Sequence, residues 1–198
     1  IINFVACKIA TLSKVMSSFP KMLLNLFLSP AKGWEDIDDD SPDTRRLLTR
    51  GFLPLVCLTA LSVGAQTFYH HDWRSSTLIL NAIVIFGKFF IAYYAAILLM
   101  GILLPQITAS GGYSESRTSN FCLLSLSVLA FIAIVENCMP EGLPLVKFLP
   151  LYAIVIMWQG RGYLSIPTSQ GVRFILSAVV SIMIPPLIID LMFSFVNL

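Results

Sequence analysis

The sequence predicts an all-α polytopic integral membrane protein, a helical bundle of five transmembrane helices behind an N-terminal amphipathic interfacial helix. Three observations carry that reading. First, 57% of the 198 residues are apolar and only 12% charged, with a mean hydropathy of +0.82. A water-soluble domain averages about 25% charged residues, and a chain of this length has too much surface to hide so much apolar area from water. Second, the apolar residues gather into runs long enough to cross about 30 Å of hydrocarbon, which takes roughly 20 helical residues. Third, these runs do not alternate apolar with polar residues as barrel strands do. Helices satisfy their own backbone hydrogen bonds within one segment, as lipid requires.

Residues 1–50 read as a cytoplasmic and interfacial segment, and residues 51–198 as the transmembrane domain. In the first part Lys8, Lys14 and Lys21 recur at intervals near two helical turns, while Phe4, Ile9, Leu12 and Val15 lie on the other face. That basic amphipathic pattern suits a helix lying among lipid headgroups; by hydropathy alone, residues 1–28 also read as a sixth, frayed span. Pro20 and Ser29-Pro30 punctuate it. The acidic run that follows lacks the glycine turn and ligand spacing of a calcium loop. It is expected to be a solvated hinge, with Ser41 or Asp43 capping the helix that enters the first span. Trp34 beside Lys32 suits an interfacial anchor. Trp34, Glu35, Asp36, Asp38, Asp39 and Asp40 together form a candidate cytoplasmic interaction segment.

The expected spans are residues 51–69, 78–104, 120–135, 143–158 and 172–196. The first is free of charge and ends at His70, His71, Asp72 and Trp73. The second is interrupted only by Lys88 and stops at Pro105. The third closes on Glu136, Asn137 and Pro140. The fourth is short and carries Lys147 and Pro150. The fifth contains Asp190 and should kink at Pro185-Pro186, where two consecutive amide donors are missing. With the N-terminus inside, ten lysines and arginines fall on inner segments and two, Arg74 and Lys147, outside. That bias places the N-terminus in the cytoplasm, and five crossings put the C-terminus on the opposite side.

The net charge of +2 is too small, and too clustered, to suggest nucleic acid as a partner. No catalytic constellation, metal set or cofactor motif stands out. Cys7, Cys57, Cys122 and Cys138 lack the paired spacing of zinc or redox sites. The adjacent histidines point about 100° apart on a helix and suit a headgroup-facing role. Ionisable residues inside spans carry more weight. Lys88 lies roughly 15 Å along its helix, where a lysine costs a few kcal/mol unless paired or hydrated. Asp190 and Glu136 are its candidate partners, with Asn81 nearly two turns away on the same helix. Lys88, Glu136, Asp190 and Asn81 thus form a candidate intramembrane polar cluster. The plainer reading is a structural ion pair, or a lysine snorkelling to the interface.

Short motifs in order resemble a known family. Leu26-Phe27-Leu28-Ser29-Pro30 followed by Gly33-Trp34-Glu35-Asp36-Ile37 resembles the opening of the Ypt-interacting-protein (Yip) family of multi-pass membrane proteins, in its bacterial, Bacteroidetes-type branch. Leu53-Pro54-Leu55 at the first span, the stretch from Tyr152 to Gly160, Ile166-Pro167 and Pro185-Pro186 are similar in order and spacing. The resemblance implies a five-span bundle with a cytoplasmic N-terminus in the bacterial inner membrane, and no catalytic residues. Eukaryotic relatives work with Rab GTPases in vesicle traffic, a role that does not carry over to a bacterium. Three function classes follow. The first is a non-catalytic membrane scaffold or accessory subunit that organises partner membrane proteins, copies of itself or lipids. The second is a small transporter or channel subunit for a lipid or ion, using Lys88 and Asp190. The third, with least support, is an intramembrane enzyme.

Overall fold

The computed structural model describes residues 19–68, 75–108, 114–139 and 148–196. Lys8, Lys14, the two histidines, Arg74 and Lys147 lie outside them. Every described element is helical, and four helices are long and apolar enough to cross a membrane. Ser29 separates two short helices, α1 (Phe19–Leu28) and α2 (Pro30–Asp40). Pro30 begins α2 because a first-turn proline has no helical N–H to lose and its fixed φ suits the helix. Ser41, at φ 38°, ends it in the left-handed region, and its N–H bonds the Ile37 carbonyl.

The first span, α3 (Thr44–Thr67), begins seven residues before its apolar run, so Arg45, Arg46 and Arg50 are helical. It contains a π-helical turn over Leu48–Phe52. Pro54 has no N–H for the Arg50 carbonyl, and the Leu53 N–H reaches back to the Leu48 carbonyl, which widens the turn. The next helices are α4 (Ser75–Leu103) and α5 (Glu115–Cys138). The described part of the fourth expected span is α6 (Leu149–Gln159), 11 residues or about 16 Å, too short to cross alone. The fifth expected span divides into α7 (Gly171–Ile182) and α8 (Ile184–Val196), interrupted at Met183 just before Pro185-Pro186. The interruption falls where the two prolines were expected to act.

The central pillar is α5, which touches α3, α4, α6 and α7. Nine consecutive residues, Asn120 to Val128, are buried. Against this pillar α1 and α2 form an antiparallel hairpin. A Cβ on Gly33 would stand 2.7 Å from the Leu26 Cα, so the two helices cross at backbone contact that only glycine permits. The Phe19 ring lies over Gly51 on α3, and the Phe27 ring packs edge-on against Phe131, well along α5. Helix α1 therefore runs down the flank of the bundle, alongside α3, rather than across its end. Only residues 19–28 of the expected interfacial helix lie within the described residues, and they pack along α3.

Candidate functional site

Three arrangements join the sequence-predicted residues to their surroundings. The first lies at the basic end of the bundle, where α2 docks. Gly33, Trp34 and Ile37 form the buried face of α2. Trp34 is 2% exposed. Its ring stacks against Phe121 and Tyr163 at 5.3 Å each, and its Nε1 donates to the Ile156 carbonyl at 2.8 Å. It is thus a core residue and not an interfacial anchor. The Tyr152 hydroxyl donates to the Phe27 carbonyl at 2.7 Å, which fixes the far end of the hairpin to α6. Arg117 pairs with Asp38 at 2.6 Å, donates to the Tyr163 carbonyl at 3.0 Å, and places its guanidinium 5.5 Å from the Tyr163 ring. Asn120 donates to the Pro42 carbonyl at 2.9 Å. Burial pushes the Tyr163 phenol above its ordinary pKa, against the lowering effects of Asn120 and Arg117.

With that face locked, α2 turns Lys32, Glu35, Asp39 and Asp40 outward, and Asp36 is half-buried. The acidic run is therefore not a hinge, as the sequence suggested, but the exposed side of an amphipathic helix. The joint lies after it, at residues 41–43. Asp43 precedes the next helix without a side-chain capping bond.

The second arrangement is the intramembrane polar cluster. Lys88 Nζ sits 2.9 Å from Oδ1 and 3.0 Å from Oδ2 of Asp190, joining α4 to α8. The Lys88 side chain is 13% exposed and that of Asp190 50%. Glu136 lies within electrostatic reach of both. Asn81 is seven residues before Lys88, roughly 10 Å along the axis, and is not part of the pair. A neighbouring network was not foreseen. Gln66 Nε2 donates to Asn137 Oδ1, Asn137 Nδ2 donates to Ser62 Oγ, each at 2.9 Å, and Ser62 donates to the Thr59 carbonyl. Its signal was in the sequence: Thr59, Ser62 and Gln66 are spaced by three and four, one stripe of a helix. Among the described residues no group of three or more His, Cys, Asp or Glu is placed to hold a metal ion.

The third arrangement is a groove of about 540 Å³ between α1, α3 and α5. Its walls are apolar along most of their length, and Lys21 and Arg50 stand at one end. No family model, curated protein or solved structure matches the chain.

Proposed function

We propose that the chain is a Yip-like, non-catalytic scaffold or accessory subunit of a bacterial inner membrane. In this reading it presents the acidic face of α2 to a basic segment of a partner membrane protein. The observation that carries the proposal is the way α2 is held. Trp34, Arg117 and Asn120 fix the segment from Trp34 to Pro42 to the bundle, while Glu35, Asp39 and Asp40 make no ion pair among the described residues. A pre-positioned charged surface loses little freedom on binding, which favours its use in recognition.

Orientation follows from Lys21, Lys32, Arg45, Arg46, Arg50 and Arg117, which gather at the α2 end and favour the cytoplasmic side. In this reading the chain crosses five times, which leaves the C-terminus on the opposite side. The α1–α2 hairpin then dips into the inner leaflet and returns. A second reading, a small transporter or channel subunit, is favoured by one observation: the Lys88–Asp190 pair lies beside a helix broken at Met183, and interrupted helices line substrate paths in transporters.

Native mass spectrometry of protein extracted gently from its own membrane separates the two. The scaffold reading expects a stoichiometric second protein, lost from the triple variant Glu35→Lys/Asp39→Lys/Asp40→Lys while the unfolding temperature holds. Retention of the partner by that variant, or no partner with the wild type, rejects it. The transport reading expects ion or lipid flux in liposomes that falls in Lys88→Ala.

A further inference from the structure

We infer that the groove between α1, α3 and α5 binds one anionic phospholipid, with an acyl chain along the apolar walls and the phosphate held by Lys21 and Arg50. The volume of about 540 Å³ is within the usual 300–1,000 Å³ of small-molecule sites. Leu24, Phe27, Leu55, Leu58, Phe131 and Ile134 form the walls, and Lys21 and Arg50 are the charged residues that line it. The polarity is graded in one direction. Lys21 is in the first turn of α1 and Arg50 adjoins Gly51 beneath Phe19, whereas Phe27 and Leu58 lie about 9–12 Å further along their helices, where Phe27 meets Phe131. A phospholipid in the leaflet at the basic end has the same gradient, anionic head outward and hydrocarbon inward. Basic pockets between helices on the cytoplasmic side hold anionic headgroups for this reason.

The groove exists because of two local features already described. The π-helical turn sets Gly51 where the Phe19 ring can rest on bare backbone, and a Cβ there would meet that ring at 2.3 Å. At the other end Phe27 reaches α5 through Phe131. Helix α1 is thus pinned at both ends, and the space between stays open beside Leu24 and Leu58, which are 52% and 55% exposed.

Charge selects the occupant. Lys21 and Arg50 make no ion pair among the described residues. Asp40 lines the recesses next to both, with Asp36 and Asp39 also beside Lys21 and Asp43 and the cation Arg46 also beside Arg50, so these exposed or half-buried carboxylates compete with a bound phosphate, Asp40 foremost. Residues 1–18, the nearest segment of the chain outside the description, carry Lys8 and Lys14 and no Asp or Glu. They bring no anion for these two cations, whereas a phosphatidylglycerol headgroup does.

The test uses the full chain in nanodiscs of equal phosphatidylglycerol and phosphatidylcholine, reading retained lipid by native mass spectrometry and thermal protection after delipidation. The wild type should retain one phosphatidylglycerol per chain in preference to phosphatidylcholine. Lys21→Gln/Arg50→Gln should lower that preference roughly 25-fold, about five-fold per cation removed. Asp40→Asn should raise it. Leu55→Trp, which fills the slot, should lose both lipids, with circular dichroism checking that its helices persist. Equal retention of the two lipids by the wild type overturns the proposal, as does undiminished preference in the double variant. Retention of neither lipid also overturns it. The selectivity needs no protein partner, so it can fail or succeed independently of the scaffold reading.

Discussion

Helices α4 and α5 contain equally apolar stretches that live in opposite surroundings. Their most apolar windows share a mean hydropathy of 2.1, yet 28% of the window is buried in α4 and 61% in α5. What differs is where the polar side chains are. Helix α5 buries Thr118, Asn120, Ser125, Ser127 and Asn137, while α4 turns Ile83, Ile91, Leu98 and Ile102 outward. Lipid is as apolar as leucine, so hiding leucine from it gains little, and small residues, hydrogen bonds and close packing decide which helix occupies the centre. In water the same two helices would have been sorted by hydropathy. Here they are sorted by what cannot be left facing lipid.

The sharpest break in that comparison comes from truncating one aromatic on each helix. Phe121 on α5 is fully buried and meets both Trp34 and Phe174, at 5.3 and 5.6 Å. Phe121→Ala should cost about 3–5 kcal/mol of stability. Phe90→Ala on α4, where the side chain is 38% exposed, should cost less than about 1 kcal/mol. Unfolding in detergent measures both. Equal losses would show that α4 is enclosed as α5 is, by a partner or a second copy. A middle-sized effect is expected at the one charge that α4 carries inward. Lys88→Met strands Asp190 and should cost about 2 kcal/mol, less than the 3–5 kcal/mol of a fully buried pair because Asp190 is half-exposed. The double variant Lys88→Met/Asp190→Leu should recover most of the loss. If instead the double variant is no better than the single, the pair is not what joins α4 to α8. The smallest effects separate bonded from unbonded polar groups. Asn137→Ala removes two hydrogen bonds and should cost about 0.6–1.7 kcal/mol. The Ser181 hydroxyl is buried without a hydrogen-bond partner among the described residues, so Ser181→Ala should be neutral or stabilising.

Much of the architecture was legible in the sequence because length and hydropathy fix spanning helices directly. The expected spans at 78–104 and 172–196 agree with α4 and the α7–α8 pair to within three residues, and the Pro185-Pro186 break follows from two missing donors. That Lys88 needs an anion was readable, since an intramembrane lysine is costly alone, but the sequence left Asp190 and Glu136 as equal candidates, and the structure pairs it with Asp190. The hairpin was not readable. Ser29-Pro30 looked like punctuation between segments, but a proline that ends one element also starts the next. In the acidic run the charges drew attention from Gly33, Trp34 and Ile37, whose spacing marks one buried face. The groove was beyond sequence reasoning altogether. It depends on Phe19 meeting Gly51, and Phe27 meeting Phe131, across separations in the chain that no periodicity encodes.

The interruption at Met183 has a mechanical side. Because Pro185 and Pro186 carry no N–H, the carbonyls of Ser181 and Ile182 lose the donors that stiffen a continuous rod, so α7 and α8 are two beams meeting at a joint. Asp190 sits seven residues beyond Met183, about 10 Å out along the second beam, where Lys88 fastens it to α4. A fastening at that distance from the pivot resists rotation with leverage that the same pair placed beside the prolines would lack. The ion pair thereby helps to hold the angle of a 13-residue arm, beside the packing of α8 on α4, and replacing either of its ends changes the torque on α8.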